Sequence, residues 1–358
     1  MLDIHVIDDL QGLKDKSVLF ITTKNLDYIR NTQEISLIRG VSSRLTVIGS
    51  RAKRYPIRLL KVWSSLLFKS FRRYDVVFAG FAPQLILPIW GRRIRRAGCE
   101  IWEDFFISLY DTFCCDRQRF RPESAVGRAL RWLDRCATSY GSHIICDSRA
   151  DAEFFRRELS GDASGIFEVL YLQADRTVYH PGRADREETL RRLFPEKFDV
   201  LGSDDCLKRT IILYFGTVLP LQGADIVYQA MQELSADEGN LCIFIGPLRG
   251  ETRREVDITP KRSALQSPSL QRILHRDWLT QEELADLIDI SDICLAGHFS
   301  AEIDKARRSI PGKAYIYEAM GKTMILGDNP ANRERFLPSD KHIFVEMGSV
   351  RAIINSVI

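Results

Sequence analysis

No C-x-x-C pair occurs among the eight cysteines of this 358-residue chain, so zinc-ribbon and thioredoxin-type chemistry have no support. No uninterrupted run of about 18 apolar residues exists, and nothing reads as a membrane span. The N-terminus, MLDIHVIDDLQ, carries acids early and lacks a long apolar stretch, so it does not read as a secretory signal. No G-x-G-x-x-G follows any strand-like run, which removes the main support for a dinucleotide dehydrogenase. G-x-x-x-x-G-K-[ST] and G-x-S-x-G are absent too, excluding a P-loop NTPase and an α/β-hydrolase nucleophile elbow. Charge of one sign is also missing: 51 Lys and Arg against 48 Asp and Glu leave a net charge of +3. That is too little for a globally basic nucleic-acid binder, though a local basic patch is still open.

What is present is ordinary for a globular chain: 45% hydrophobic and 28% charged residues, with length enough for two α/β domains. Cys99, Cys114, Cys115, Cys136, Cys146, Cys206, Cys242 and Cys294 are scattered, several of them inside apolar runs. They read as small buried hydrophobes in a reducing, cytoplasmic setting. The six histidines are dispersed and show no metal-ligand spacing. His298, in LAGHFS, follows a strand-like run and is either a site residue or a satisfied loop residue.

Short apolar runs alternate with helical stretches, the pattern of parallel α/β units. The first half gives 17–23, 45–50, 75–80, 100–105, 143–148 and 167–172 as strands, with helices near 28–39, 57–73, 84–97, 123–139 and 149–158. Continuous apolar runs, rather than strict alternation, indicate strands covered on both faces. Residues 181–209 break the rhythm, being rich in charge, and read as a linker with a short helix. A second series follows at 211–216, 241–246, 292–297, 323–328 and 342–347, with helices near 223–234, 280–290 and 313–321. The expected architecture is two Rossmann-like, doubly wound α/β domains facing across a cleft, 1–180 and 210–358. Ligand residues are expected just beyond the carboxyl ends of the strands.

Two such segments stand out. In IILYFGTVLPLQGADIVYQAMQEL, Gly216 ends a strand and Gly223 opens a helix, where backbone amides approach a phosphate closely. A plain βα turn would look the same. In KARRSIPGKAYIYEAMGKTMILGD, the basic cluster Lys305, Arg307, Arg308 and Lys313 precedes and opens a helix. Cations at a helix N-terminus suit a diphosphate, although a solvated basic loop would also read so.

Together these segments, YFGTVLPLQG (214–223) and KARRSIPGK (305–313), resemble the C-terminal half of retaining glycosyltransferases of family 4, which have the GT-B fold. The resemblance is to a bacterial subgroup with "YFGT-x-x-PLQG" and "KA-x-R-x-IPNK" stretches. DFFISLYDTFCCDR (104–117) resembles the subgroup's "D-x-x-x-S-x-YDT-x-x-x-DR", and the likeness runs from about residue 17 to the end. It implies a nucleotide-sugar donor on the C-terminal domain, a saccharide or lipid-linked acceptor on the N-terminal domain, and transfer with retention and without a metal or other cofactor. It also implies that Gly216, Thr217, Gln222 and Gly223 line the diphosphate. Lys305, Arg308 and Lys313 would supply positive charge, Glu318 would face the ribose, and Asp104 would lie near the reacting sugar or the acceptor hydroxyl. The family's first-loop cations are replaced by Thr217 or Val218 and Gln222, and its paired glutamates by Arg308 and Ile316. By the same resemblance the chain stops about 50 residues before the family's last helices, within ordinary domain-size variation.

Residues 51–74, RAKRYPIRLLKVWSSLLFKSFRRY, hold eight cations and no acid, with Leu60, Trp63, Leu67 and Phe71 at helical spacing. GRRIRRAG (91–98) adds four arginines. This suits contact with an anionic membrane surface, or a covering helix with solvated cations. The leading expectation is a glycosyltransferase of bacterial surface polysaccharide or glycolipid synthesis. The degenerate positions motivate a second, a catalytically weak scaffold in an assembly complex; a sugar-nucleotide epimerase is the third.

Overall fold

The computed structural model describes residues 4–159, 164–195, 198, 207–247 and 273–357. The chain folds as two compact units, Met1–Gln173 and Ala174–Ile358. Each is built on a parallel α/β sheet.

The first unit carries β1 (His5–Val6), β2 (Ser17–Ile21), β3 (Arg44–Ile48), β4 (Val76–Ala79), β5 (Glu100–Asp104), β6 (His143–Cys146) and β7 (Ile166–Val169). Their order is β1-β7-β6-β5-β4-β2-β3, and every pairing is parallel. Its helices are α1 (Ile29–Val41), α2 (Tyr55–Leu67), α3 (Leu87–Arg96), α4 (Ala125–Thr138) and α5 (Arg149–Phe154). Alternate side chains leave a strand on opposite faces, and here both faces are covered. Leu19, Ile21, Val77 and Ala79 pack with Val62 and Leu66 of α2 and with Leu87, Trp90 and Ile94 of α3. Val18, Phe20, Val76 and Phe78 pack with Ile38 of α1 and with Leu10 and Leu13. Phe20 and Phe78 are cross-strand partners with rings stacked at 5.4 Å. Each such buried side chain stabilises the fold by about 1.5–3 kcal/mol.

The second unit carries α6 (Arg186–Leu193), β8 (Thr210–Phe215), α7 (Ala224–Leu234), β9 (Asn240–Ile245), β10 (Ile273–Arg276), α8 (Gln281–Ile290) and β11 (Ile293–Leu295). It continues with α9 (Lys305–Arg308), α10 (Gly312–Ala319), β12 (Thr323–Gly327), α11 (Pro330–Arg335), β13 (His342–Val345) and α12 (Val350–Asn355). Strand order is β10-β9-β8-β11-β12-β13. Counted along the chain within the unit this is 3-2-1-4-5-6, the doubly wound order, whose switch point falls between β8 and β11. In the first sheet the chain winds outward in both directions from β2, so its switch point lies between β2 and β4.

The expected strands are all present. Two were not foreseen: β1 is only two residues long, and β10, with sequence ILHR, is a half-polar edge strand. The helix expected over 57–73 ends earlier, at Leu67, and Phe71–Arg73 form a separate 3-10 turn. Consequently Val62, Leu66 and Phe71 are the buried residues, while Leu60 and Leu67 point outward. The charged stretch expected as a linker is tied down where it is described. Amides of Gly182, Arg183 and Ala184 donate to Asp289, and Arg183 pairs with Asp286 at 2.7 Å, all on α8. Residues 196–197 and 199–206, with Cys206, lie outside the described residues. The described cysteines are free thiols; Cys115 is exposed, against expectation, on the turn that follows β5.

Candidate functional site

Both ligand-like segments of the second unit converge at its switch point. The loop after β8 runs from Gly216 to Gly223, and Gly223 (φ +61°) caps α7 without a side-chain bond. The first-turn amides of α7 therefore lack partners in the helix. The amide of Phe299, on the loop after β11, donates to the carbonyl of Gln222, which ties the two loops together.

Lys313 enters this junction from the first turn of α10. Its Nζ donates to Gln222 Oε1 at 3.0 Å and lies 3.9 Å from the centre of the Tyr214 ring. The side chain is buried, and among the described residues no carboxylate pairs with it. Burial holds its pKa well below the usual lysine value. Two glycines make the space. A Cβ on Gly216 would come within 2.9 Å of Nζ; one on Gly297 would lie 2.2 Å from Gln222 Oε1 and 2.9 Å from Nζ. Both also have φ values, +148° and +84°, that side-chain-bearing residues seldom take.

His298 follows Gly297 in the left-handed conformation (φ +57°) and is buried. Its Nδ1 is 2.9 Å from the carbonyl oxygen of Ser309, so Nδ1 carries the hydrogen and Nε2 is left as an acceptor. Burial, then the charges of Lys313 and Lys305, push its pKa down to about 3, so the imidazole is neutral at working pH. It is a satisfied loop residue that also borders the basic cluster.

The other sequence-derived positions are placed as follows. Lys305 and Arg308 are buried on α9, with Arg308 Nε donating to Asp304 at 2.7 Å. Thr217 is exposed in the first loop. Glu318 is half-buried and pairs with Arg335 of α11 at 2.6 Å. It stands about 140° round α10 from Lys313. Gly216, Gln222, Gly223 and Lys313 are thus brought together, and Glu318 is not among them.

Asp104, the last residue of β5, is fully buried in the first unit. It accepts from Arg30 Nε at 3.3 Å and Nη2 at 3.0 Å, and Arg30 is itself 3.3 Å from Glu34 one turn further along α1. All three side chains are inaccessible. Burial raises the pKa of both acids, that of Glu34 most, beside the charge of Asp104. The two acids thus share the Arg30 guanidinium in a setting that disfavours the charged form of each. The segment after β5 is held by Asp134 of α4, which accepts from Ser108 Oγ and from the amides of Leu109 and Tyr110 at 2.7–3.0 Å.

Sequence reasoning missed Tyr214, Gly297, Arg30 and Glu34. Gly297 had a signal, a glycine closing the strand-like run DICLAG; the others had none. Among the described residues no group of three or more His, Cys, Asp or Glu could hold a metal ion, and no helix is long and apolar enough to cross a membrane.

No family model matches the sequence, and no curated protein matches it. Solved structures do match in fold. HepE of Anabaena, in complex with UDP, superposes with a TM-score of 0.62 at 14% identity, covering 95% of this chain and 88% of that one. Sucrose-phosphate synthase of Thermosynechococcus elongatus gives 0.63 at 11%, with the same coverage. The catalytic domain of Arabidopsis thaliana starch synthase IV, bound to ADP and acarbose, gives 0.59 at 10%, covering 96% of this chain and 91% of that one. The chain has the GT-B fold, two Rossmann-like units.

Proposed function

We propose that the chain is a retaining glycosyltransferase of the hexosyltransferase type. It would move a sugar from a nucleotide-sugar donor to a saccharide or lipid-linked acceptor in bacterial cell-surface polysaccharide or glycolipid synthesis. The observation that carries this reading is the buried ammonium of Lys313. Among the described residues it has no acid partner, and it stands where two glycine-lined loops and a helix N-terminus meet at a switch point. Lys313, with Lys305, Arg308 and the first-turn amides of α7 and α10, would take the charge of the departing diphosphate without a metal. Gly216, Thr217, Gln222 and Gly223 would line it. Fixed dipoles and a desolvated cation act most strongly where charge develops in the transition state. Structures of the same fold, HepE in complex with UDP and starch synthase IV bound to ADP and acarbose, support the reading by fold, and the YFGTVLPLQG and KARRSIPGK segments support the family 4 subgroup. On this reading 210–358 holds the donor, 1–180 the acceptor, and 181–209 joins them.

Asp104 has no accessible surface in its unit, so we assign it a positioning role, setting Arg30 and the exit of β5, rather than contact with the reacting sugar. Glu318 reaches a ribose only if it leaves Arg335.

Thermal unfolding against UDP, GDP, ADP, CDP and dTDP tests the donor site. At about 100 times its dissociation constant a ligand adds roughly 2.7 kcal/mol, a rise of about 5–10 °C for a unit of this size. One base is expected to stand out. If none does, the second reading, a weak scaffold, takes over. It is favoured by the absence of a cation at 217 and 218 and by the engagement of Arg308 and Glu318 with neighbours. Absence of donor hydrolysis would then agree with it.

The membrane contact of 51–74 is part of the proposal. Ile57, Leu60, Leu67 and Phe68 form an outward stripe on and just after α2, with Phe68 92% exposed, among Lys61, Lys69, Arg72 and Arg73. Cosedimentation with phosphatidylglycerol-containing vesicles is expected, with none on pure phosphatidylcholine. Leu60→Glu with Phe68→Glu should abolish it; equal binding by this variant would refute the contact.

A further inference from the structure

The first sheet has a switch point of its own, between β2 and β4, and nothing in the donor reading uses it. Loops beyond the carboxyl ends of these strands hold a set of cations and rings. Lys24 stands three residues after β2, its Nζ 5.2 Å from the centre of the Tyr28 ring and 5.0 Å from that of Phe81, two residues after β4. The two rings meet edge to face at 5.5 Å. Thr23 Oγ1 donates to the carbonyl of Phe81 at 2.9 Å and accepts from Tyr55 Oη at 3.2 Å. Tyr55 in turn lies 5.7 Å under the guanidinium of Arg58, whose Nε and Nη2 are fixed on the carbonyl of Ala52. Arg117, just after the turn that follows β5, packs on Phe113.

Lys24 thus stands at the switch point, with Arg58 joined to it through Tyr55 and Thr23 and with the charges of Arg58 and Arg117 both acting on it. Among the described residues, no carboxylate is within ion-pair distance of Lys24, Arg58 or Arg117. They repel one another: burial first, then the charges of Arg58 and Arg117, lower the pKa of Lys24. An apolar or neutral polar ligand leaves that repulsion standing; an oxyanion removes it and takes charge-assisted hydrogen bonds from the same groups. Open α/β sheets bind ligands at such points.

We propose that this is the acceptor's anchoring site, and that it takes an oxyanion carried by the acceptor, a phosphate or a carboxylate. Lys24 and Arg117 are its ligands, and Arg58 is a fixed charge beside them. The proposal rests on the transferase reading for the word acceptor, but the site itself does not depend on the donor half.

The test is calorimetric titration with geranyl monophosphate, glucuronate and glucose, on the wild type, Lys24→Gln, Arg117→Gln and Lys313→Met. The oxyanion probes should bind the wild type and Lys313→Met alike. Each substitution at Lys24 or Arg117 should weaken them about tenfold. Glucose should show neither effect. Response to geranyl monophosphate alone identifies a phosphorylated acceptor; response to glucuronate identifies an acidic saccharide. Binding that Lys24→Gln and Arg117→Gln leave unchanged, binding lost in Lys313→Met, or glucose binding as well as the anions would each overturn the proposal. A nucleotide melting panel run on the same four proteins separates the two ideas. Failure of the donor reading removes the nucleotide response everywhere, whereas failure of this site leaves that response intact in Lys24→Gln and Arg117→Gln.

Discussion

Lys313→Met is expected to abolish the melting shift given by the nucleotide diphosphate and, in the same protein, to raise the melting temperature without ligand. The two effects have one cause. An ammonium removed from water and given a glutamine oxygen and the faces of the Tyr214 and Phe215 rings recovers part of its hydration energy. Methionine fills similar volume and needs none of it. The gain is about 1–3 kcal/mol, by analogy with buried charges replaced by apolar residues. That is about 2–4 °C per kcal/mol. The pH dependence separates this from a generic packing gain. Because the folded pKa of Lys313 lies below 10.5, between those two values the unfolded chain holds a proton the native state has released. Stability therefore rises with pH through that window in the wild type. The rise should be missing from Lys313→Met. A bound diphosphate reverses the balance by restoring the ammonium, so in that window binding takes up a proton. Titration calorimetry in two buffers of different ionisation enthalpy would show it. A variant that keeps its nucleotide response would remove the central support for the donor site.

Much of the architecture is legible in the chain because buried parallel strands are continuous apolar runs. DVVFAG and LCIFIG admit few other readings. The geometry of the two glycine-marked loops was legible in the same way: Gly216 and Gly223 have positive φ, and IPGK opens a helix. What was hidden obeys a different rule. In α1, IRNTQEISLIRGV, the buried residues are Arg30, Asn31, Gln33, Glu34 and Ile38. A pattern of apolar and polar positions would turn that face to solvent. It is buried because Arg30 and Glu34, one turn apart, meet Asp104, Gln33 reaches the carbonyl of Tyr171 and Asn31 that of Asn25. These partners are 6 to 138 residues distant, and periodicity carries no trace of them. α2 misled similarly: Leu60 and Leu67 keep helical spacing but lie on the face away from the sheet, while Val62 and Leu66 take the core.

That hidden cluster yields the largest stability effect expected in the molecule. Arg30→Met removes the cation that, among the described residues, pairs with both Asp104 and Glu34, together with its bond to the carbonyl of Leu170. Breaking a buried ion pair by deleting one partner costs about 3–5 kcal/mol, since the remaining charge is left without compensation. For a unit of this length that is roughly 6–20 °C of melting temperature. The loss should depend on pH with a definite sign. Both acids already have folded pKa values above their ordinary ones, so the native state binds protons that the unfolded chain lacks. Stability therefore falls as pH rises through the window between ordinary and folded values. Removing Arg30 raises the folded values further and widens the window, so the deficit should be larger at pH 8 than at pH 5. Adding Asp104→Asn should recover part of it, because the amide needs no counter-charge. A double-mutant cycle on these two positions measures the coupling, expected at about 1–3 kcal/mol. A cycle that sums without coupling, or a deficit that does not shrink toward pH 5, would mean that Arg30 contributes packing alone. Since Asp104 ends β5 and Arg30 begins α1, one ion pair joins the strand end to the helix that follows β2. The loop carrying Lys24 and Tyr28 leads directly into that helix, so the buried pair fixes the geometry on which the anchoring site depends.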